Sequence, residues 1–198
     1  MNLVETSGWE DFQQQLSAIQ EEEKSQGRRA QFLFRGVCDS TWPLKTTLER
    51  AGWEDVLVNE YYGLISRLKP QIESYTSQKW DIPEPPEVQE LLDKIDAWSL
   101  HQFPTPEIYL YMVYLRHHGF PSPLLDWTRS RFSAAFFAFR RSSAPKEGKV
   151  SIFAYSEVPE LFHVDSNSDP WIRSIGEYVR THRRHFLQQS DYTMCGIF

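Results

Sequence analysis

Trp9, Phe12, Leu16 and Ile19 recur at helical spacing among polar residues, which predicts an amphipathic helix over 8–26. Ser7 would be its N-cap, with Glu10 three residues on, and Gly27 its stop. The pattern then changes: AQFLFRG, at 30–36, is a short apolar run closed by glycine and is predicted as a core strand. VCDSTWPLKTTLER reads as irregular chain, because Pro43 restricts the residue before it. A helix is predicted over 54–69, ended by Pro70, and WDIPEPPEVQ is predicted as a loop. Further helices are predicted at 87–101 and 106–118. The second, PEIYLYMVYLRHHG, is apolar nearly all round, so it should be buried on more than one face.

FPSPLL cannot be regular helix, since Pro121 and Pro123 remove donors and fix φ. Asp126 to Thr128 read as the lead into SRFSAAFFAFRR, a helix with small residues on one side and phenylalanines on the other. GKVSIFAY is a second strand, HVDSNSDP a loop, IRSIGEYVRTHRRHF helical in part, and SDYTMCGIF a closing strand. No internal repeat or low-complexity tract interrupts the series. Together these elements predict an α/β fold of the α+β type, a compact single domain. Its small sheet, mixed or antiparallel, would be surrounded by several helices, with 1–29 a helical extension packed on a domain at 30–198. The last apolar strand runs to the final residue, which leaves room for a natural chain that continues past Phe198.

A chain of 198 residues, 40% hydrophobic and 24% charged, can bury a real core. Aromatics reach 15%, and most such rings serve core packing. The net charge of −6 argues against broad, sequence-independent nucleic-acid binding, which needs many phosphate-neutralising cations. Cys38 and Cys195 lie far apart without metal-ligand spacing, so neither a zinc site nor a disulfide framework is expected. No signal-peptide pattern and no membrane-length apolar run are visible, and a cytoplasmic location is the expectation. The glycine-rich loops of NTPases and Rossmann dehydrogenases, the GxSxG of hydrolases and the HExxH of zincins are missing from the sequence.

The chemistry concentrates in two stretches. Arg35 closes the first strand next to Gly36, where a backbone can approach a ligand and a guanidinium can hold a carboxylate or phosphate. The competing reading pairs it with a buried aspartate such as Asp126. His117 and His118 end the apolar helix, where one can point inward as a donor or base while the other caps. Asp126 and Thr128 are both capable of capping the next helix, which would leave one spare, and Trp127 offers a flat face for stacking. Arg180, Arg183 and Arg184 form a basic run, most simply a solvated face. Gln188 or Gln189 could fix an amide or a ribose hydroxyl. The site is expected where Arg35 and the Asp126–Trp127–Thr128 trio face one hollow.

FLFRG, then STWPLKTTLER, then LRHHGFPSPLLDWTRSRFSAAFFAF resembles the FRG domain, a mostly bacterial family named for its Phe-Arg-Gly motif. Phe34, Arg35, Gly36, Trp42, Leu44, Leu48 and Arg50 match its first block. His118, Gly119, Pro121, Leu124 to Thr128 and the helix from Ala135 to Ala138 match its second, with Ser122 and Pro123 departing from the pattern. HFLQQSDYTMCGIF looks like its ending. A strand closing in aromatic-Arg-Gly is also similar to the opening of ADP-ribosyltransferases. That likeness implies NAD as cofactor, no metal, and a toxin-like or phage-defence role. A protein or nucleic-acid acceptor, or a cognate antitoxin, would be the partner. It implies catalytic positions at Arg35, His118, Asp126, Thr128 and Gln188, and cofactor contacts from Phe34, Gly36, Trp42, Arg50, Trp127 and Gln189. Gln188 or Gln189 stands roughly where a transferase glutamate would be, and an amide cannot act as a general base. The alternative is a non-catalytic ligand- or protein-binding module that uses the same pocket.

Overall fold

The computed structural model describes residues 3–27, 30–94, 103–140, 145–157, 171–176 and 183–196. Among them five strands form one antiparallel sheet in the order β3-β1-β2-β5-β4. The strands are β1 (Gln31–Val37), β2 (Leu125–Thr128), β3 (Ser151–Glu157), β4 (Trp171–Ser174) and β5 (Ser190–Gly196). The helices are α1 (Trp9–Ser25), α2 (Thr47–Arg50), α3 (Val58–Thr76), α4 (Pro85–Lys94), α5 (Pro106–His117), α6 (Arg131–Phe139) and α7 (Arg183–Leu187). This is the compact α+β domain expected, with the sheet antiparallel throughout the described strands.

Helix α5 buries Ile108, Tyr109, Tyr111, Met112, Val113 and Leu115, so its all-round apolar pattern does mean burial on more than one face. It packs with Tyr61, Tyr62 and Ile65 of α3, Val88 of α4, and Tyr192 and Met194 of β5. A second cluster joins α1 to the sheet: Leu16, with Phe12, meets Phe34, Phe32, Ile152 and Ala134. On the other side of β1, Leu33 packs with Leu125, Trp127, Leu44, Phe153 and Tyr155.

Several elements differ from the sequence expectations. Helix α3 runs through Pro70 instead of ending before it. The missing donor costs one backbone bond, and the burial of Tyr61, Tyr62 and Ile65 in the main core outweighs it. Pro85 begins α4 inside the stretch expected as a loop, a position where its fixed φ suits a first helical turn. The remainder of the 87–101 helix, beyond Lys94, lies outside the described residues. Ser7 does not cap α1: its N–H (2.8 Å) and hydroxyl (3.1 Å) donate to Asp11, and Gly8 is the cap residue. Residues 172–174, the start of the stretch expected to be helical in part, belong to β4, where Ile172 pairs with Cys195 across the sheet. Asp126 to Thr128 are strand β2, not a lead-in loop, and α6 is capped instead by the Ser130 hydroxyl, which accepts from Ser133 N–H at 3.3 Å. The loop at 163–170 and Arg180 lie outside the described residues, as do the side chains of Arg183 and Arg184.

Candidate functional site

Three elements bring three arginines to one aspartate. Strand β1, which continues past the motif to Val37, carries Arg35, the last turn of α5 supplies Arg116, and β2 carries Asp126. Arg35 Nη1 donates to the Asp126 carbonyl at 2.7 Å and to its Oδ1 at 2.5 Å. Arg116 Nη2 donates to the same Oδ1, and its Nη1 donates to Thr47 Oγ1 at 3.0 Å. Thr47 also accepts from Ser122 N–H (2.9 Å) and donates to Ser122 O (3.3 Å), which binds α2 to the loop before β2. Both guanidinia are largely covered, at 12% and 10% exposure, while the Asp126 side chain remains 47% exposed. Burial works to raise the Asp126 pKa, but Arg116 and then Arg35 outweigh it and hold the carboxyl below its ordinary value.

The third arginine comes from α2. Thr46, Thr47, Leu48 and Glu49 spell a capping box: Thr46 Oγ1 accepts from Glu49 N–H (3.2 Å) and the Glu49 carboxylate accepts from Thr46 N–H (2.6 Å). This start signal lies within the stretch read as irregular. It sets Leu48 into the core and leaves Arg50 exposed in the last turn. Burial, then the nearby charge of Arg35, lowers the Arg50 pKa, with Asp126 opposing and Arg116 adding to the repulsion. An arginine so shifted stays charged. Arg35, Arg50 and Arg116 thus face Asp126 and the more remote Glu49, so the group keeps one positive charge in excess.

The glycine of the Phe-Arg-Gly run has a packing role. A Cβ on Gly36 would stand 1.8 Å from the Ala134 carbonyl and 2.7 Å from the Ala138 nitrogen, so only a bare Cα admits α6 onto β1. The space expected for a ligand at Gly36 is filled by this helix. Phe34 is buried beneath the same helix with Leu16 and Ala134, away from any ligand.

The acid-indole-hydroxyl trio does not face one hollow. Strand alternation sends Trp127 into the core with Leu33 and Leu125, its indole N–H donating to Thr193 Oγ1 at 2.8 Å and its ring 5.8 Å from Tyr155. Thr128 donates to Gln188 O (2.6 Å) and accepts from Ser130 N–H (3.0 Å), so its hydroxyl is spent on local structure. Gln188 takes part through its backbone carbonyl, and Gln189 sits in the following turn, near neither Arg35 nor Asp126 by any hydrogen bond among the described residues. Trp42 is exposed, in the loop before α2. Of the two histidines, His118 turns back so that its Nδ1–H donates to Tyr114 O (2.8 Å), while His117 Nε2 meets the Tyr192 hydroxyl at 2.9 Å. The ring turned toward the sheet is therefore His117, not His118.

Sequence reasoning gave no role to Arg116, Thr47, His185 or Asp191. Asp191 is 1% exposed in β5; its Oδ1 accepts from Tyr192 N–H (2.8 Å) and Ser174 Oγ (3.4 Å), and Arg129 Nε stands 4.0 Å from Oδ2. Burial pushes its pKa up, against the pull of Tyr192 N–H and Arg129. An acid inside the apolar run SDYTMCG was the visible sign. Among the described residues there is no cluster of metal-ligating side chains, and no helix is long and apolar enough to cross a membrane.

A family model, that of the FRG domain, matches residues 30–147, more than half of the chain. The match takes in β1, α2 to α6 and β2, and with them Arg35, Arg50, Arg116 and Asp126. Helix α1 precedes it, and β3, β4, α7 and β5 follow it. No curated protein and no solved structure matches.

Proposed function

The chain belongs to the FRG domain family, and from that premise we propose that it binds an anionic ligand at the Arg35–Arg116–Arg50 cluster. The observation that carries this reading is the charge imbalance. Two largely covered guanidinia converge on one carboxylate oxygen, while Arg50, an exposed residue, adds a third positive charge beside them. A guanidinium fixed by an internal acid still projects field outward, and an exposed neighbour supplies the bidentate donor that a phosphate needs. Arg35 and Asp126 then preorganise the site, and Arg50 makes the contact.

A diphosphate is the ligand class of choice, and NAD, which carries a pyrophosphate, is the cofactor implied by the likeness to ADP-ribosyltransferases. Binding without turnover is the form favoured by the geometry. Asp126 already accepts from two guanidinia, whose charge weakens it both as a base and as a counter-charge for a cationic reaction centre. Asp191 is too deeply buried to reach a ligand at Arg50. A toxin-like or defence role would require NAD consumption, which this arrangement does not favour.

Titration with inorganic pyrophosphate and with NAD, read by calorimetry, tests the reading. Both should bind saturably, and Arg50→Gln should weaken both by roughly tenfold or more, the worth of a lost charge-assisted hydrogen bond. Absence of saturable binding by the folded protein, or an Arg50→Gln variant with unchanged affinity, would overturn it. Release of nicotinamide on incubation with NAD would replace the binding module with an enzyme.

A further inference from the structure

The turn between α7 and β5 is bonded to the end of β2. Arg129 N–H donates to Gln189 O at 3.0 Å, Thr128 Oγ1 to Gln188 O at 2.6 Å, and Gln189 N–H to Phe186 O at 3.1 Å. Gln189 adopts φ 48°, a left-handed conformation that costs a residue with a side chain and is over-represented at ligand-contacting turns. Beside this turn lies a hollow of about 270 Å³, lined by Arg129, His185, Phe186, Gln189 and Ser190. It is distinct from the arginine cluster, none of whose members lines it.

His185 is the unusual member. It is 2% exposed, yet its buried Nδ1 has no hydrogen-bond partner among the described residues. The ring is held from both sides, stacked on Tyr192 (centroids 5.8 Å, planes 17° apart) and edge-on to Phe186 (5.4 Å). Burial, then His117 and Arg129, lowers its pKa, so the imidazole is neutral at physiological pH. An unpaired buried nitrogen is destabilising, and a bound acceptor removes that cost when Nδ1 carries the proton. The wall is rich in donors: the Arg129 guanidinium, the Gln189 amide, the Ser190 hydroxyl and the imidazole. The nearby acid, Asp191, is turned to Tyr192 N–H and Ser174. Phe186 adds an exposed ring at the edge.

We propose that this hollow binds a small organic carboxylate, whose oxygens accept from His185 Nδ1–H and Arg129 while its apolar body lies against Phe186. The volume suits a molecule of about one ring, below the size of ordinary drug-like ligands. The amide, the hydroxyl and the neutral imidazole accept as well as donate, so the choice of an anion rests on the Arg129 guanidinium, which donates only and repels an ammonium. Among the described residues, the charged and titratable groups facing His185 are His117 on α5, Arg129 after β2 and Tyr192 on β5, with Asp191 behind Arg129 at 4.0 Å.

Benzoate is the probe. Titrated into the full chain, it should bind saturably, shift the His185 imidazole ¹⁵N signals and raise the His185 pKa. His185→Phe keeps a ring and removes the nitrogens, and Arg129→Gln removes the cation; each should weaken benzoate by roughly tenfold or more. Arg50→Gln should bind benzoate as the wild type does, which separates this hollow from the pyrophosphate site. The proposal is overturned if benzoate does not saturate the folded wild type, or saturates it without moving the His185 signals. Those two readings need no variant to fold. Unchanged affinity in a folded His185→Phe protein would overturn it as well.

Discussion

Asp126 and Asp191 sit on adjacent strands, and their carboxyl groups are shifted in opposite directions. Asp126 keeps nearly half its side-chain surface open yet is held below the ordinary aspartate pKa; Asp191 is almost sealed and is pushed above it. Burial pushes both upward, so burial does not distinguish them. The difference lies in the cations. Two guanidinia make hydrogen bonds to Asp126 Oδ1, whereas a single guanidinium stands 4.0 Å from Asp191. Number and distance of opposite charges decide the sign. One consequence is division of labour: Asp126 holds two guanidinia in place, and Asp191 is a buried acid that shapes β5.

The most severe way to break the comparison is to remove the platform on which Asp126 and its partners stand. Gly36→Ala would drive a methyl into the Ala134 carbonyl, and α6 would have to move. We expect a loss of roughly 3 kcal/mol or more in urea titration, the upper range of overpacking. A change under 1 kcal/mol would mean that α6 is not seated on β1 as described.

Removing the acids separately tests their contrast. Asp126→Asn strands two largely buried guanidinia; breaking such a pair costs about 3–5 kcal/mol when fully buried. Because the carboxylate is half open, about 1–3 kcal/mol is expected here. Asp191→Asn keeps an acceptor for Tyr192 N–H and removes a poorly compensated charge, so its effect should lie within about 1 kcal/mol. Equal losses in the two variants would erase the distinction.

The pH dependence sharpens it. Since the folded pKa of Asp126 is lowered, its contribution is full above the unfolded value near 3.8 and is lost as pH falls through the lower folded value. Asp191 acts in the reverse sense: its folded form takes up a proton first, so its penalty fades as pH falls through the raised folded value toward 3.8. Denaturant titrations between pH 6 and pH 3 should therefore show a shallower acid loss in Asp126→Asn and a steeper one in Asp191→Asn. Matching slopes in both variants and the wild type would contradict these shifts. The smallest expected effect on stability is that of Arg50→Gln, within about 0.5 kcal/mol for an exposed side chain. A larger melting change would make Arg50 a structural residue rather than a ligand contact.

The first stretch was more legible than the second. FLFRG reads as a strand because five neighbouring positions combine apolar character with a terminal glycine, and PEIYLYMVYLRHH reads as buried helix for the same local reason. The Arg35–Asp126 contact was weighed from residue types alone, because an arginine in an apolar strand needs a partner. LDWT misled: four residues ahead of a helix look like a cap, and only pairing with β5 makes them a strand. Pro70 misled in the opposite way, since a local rule was overridden by the burial of Tyr61, Tyr62 and Ile65 along the same helix.

The chain's own pattern determined its class, its first strand, its apolar central helix and the arginine carried on β1. Periodicity and residue type are local properties, and these features need nothing more. Which acid faces two cations and which faces one, which of two adjacent histidines turns toward the sheet, and why the motif glycine must stay bare were settled by tertiary packing. All of these contacts but the Arg116–Asp126 bond, 10 positions apart, join residues 62 to 102 positions apart in sequence, and a through-space distance of a few ångströms is not encoded in the spacing of neighbours along the chain.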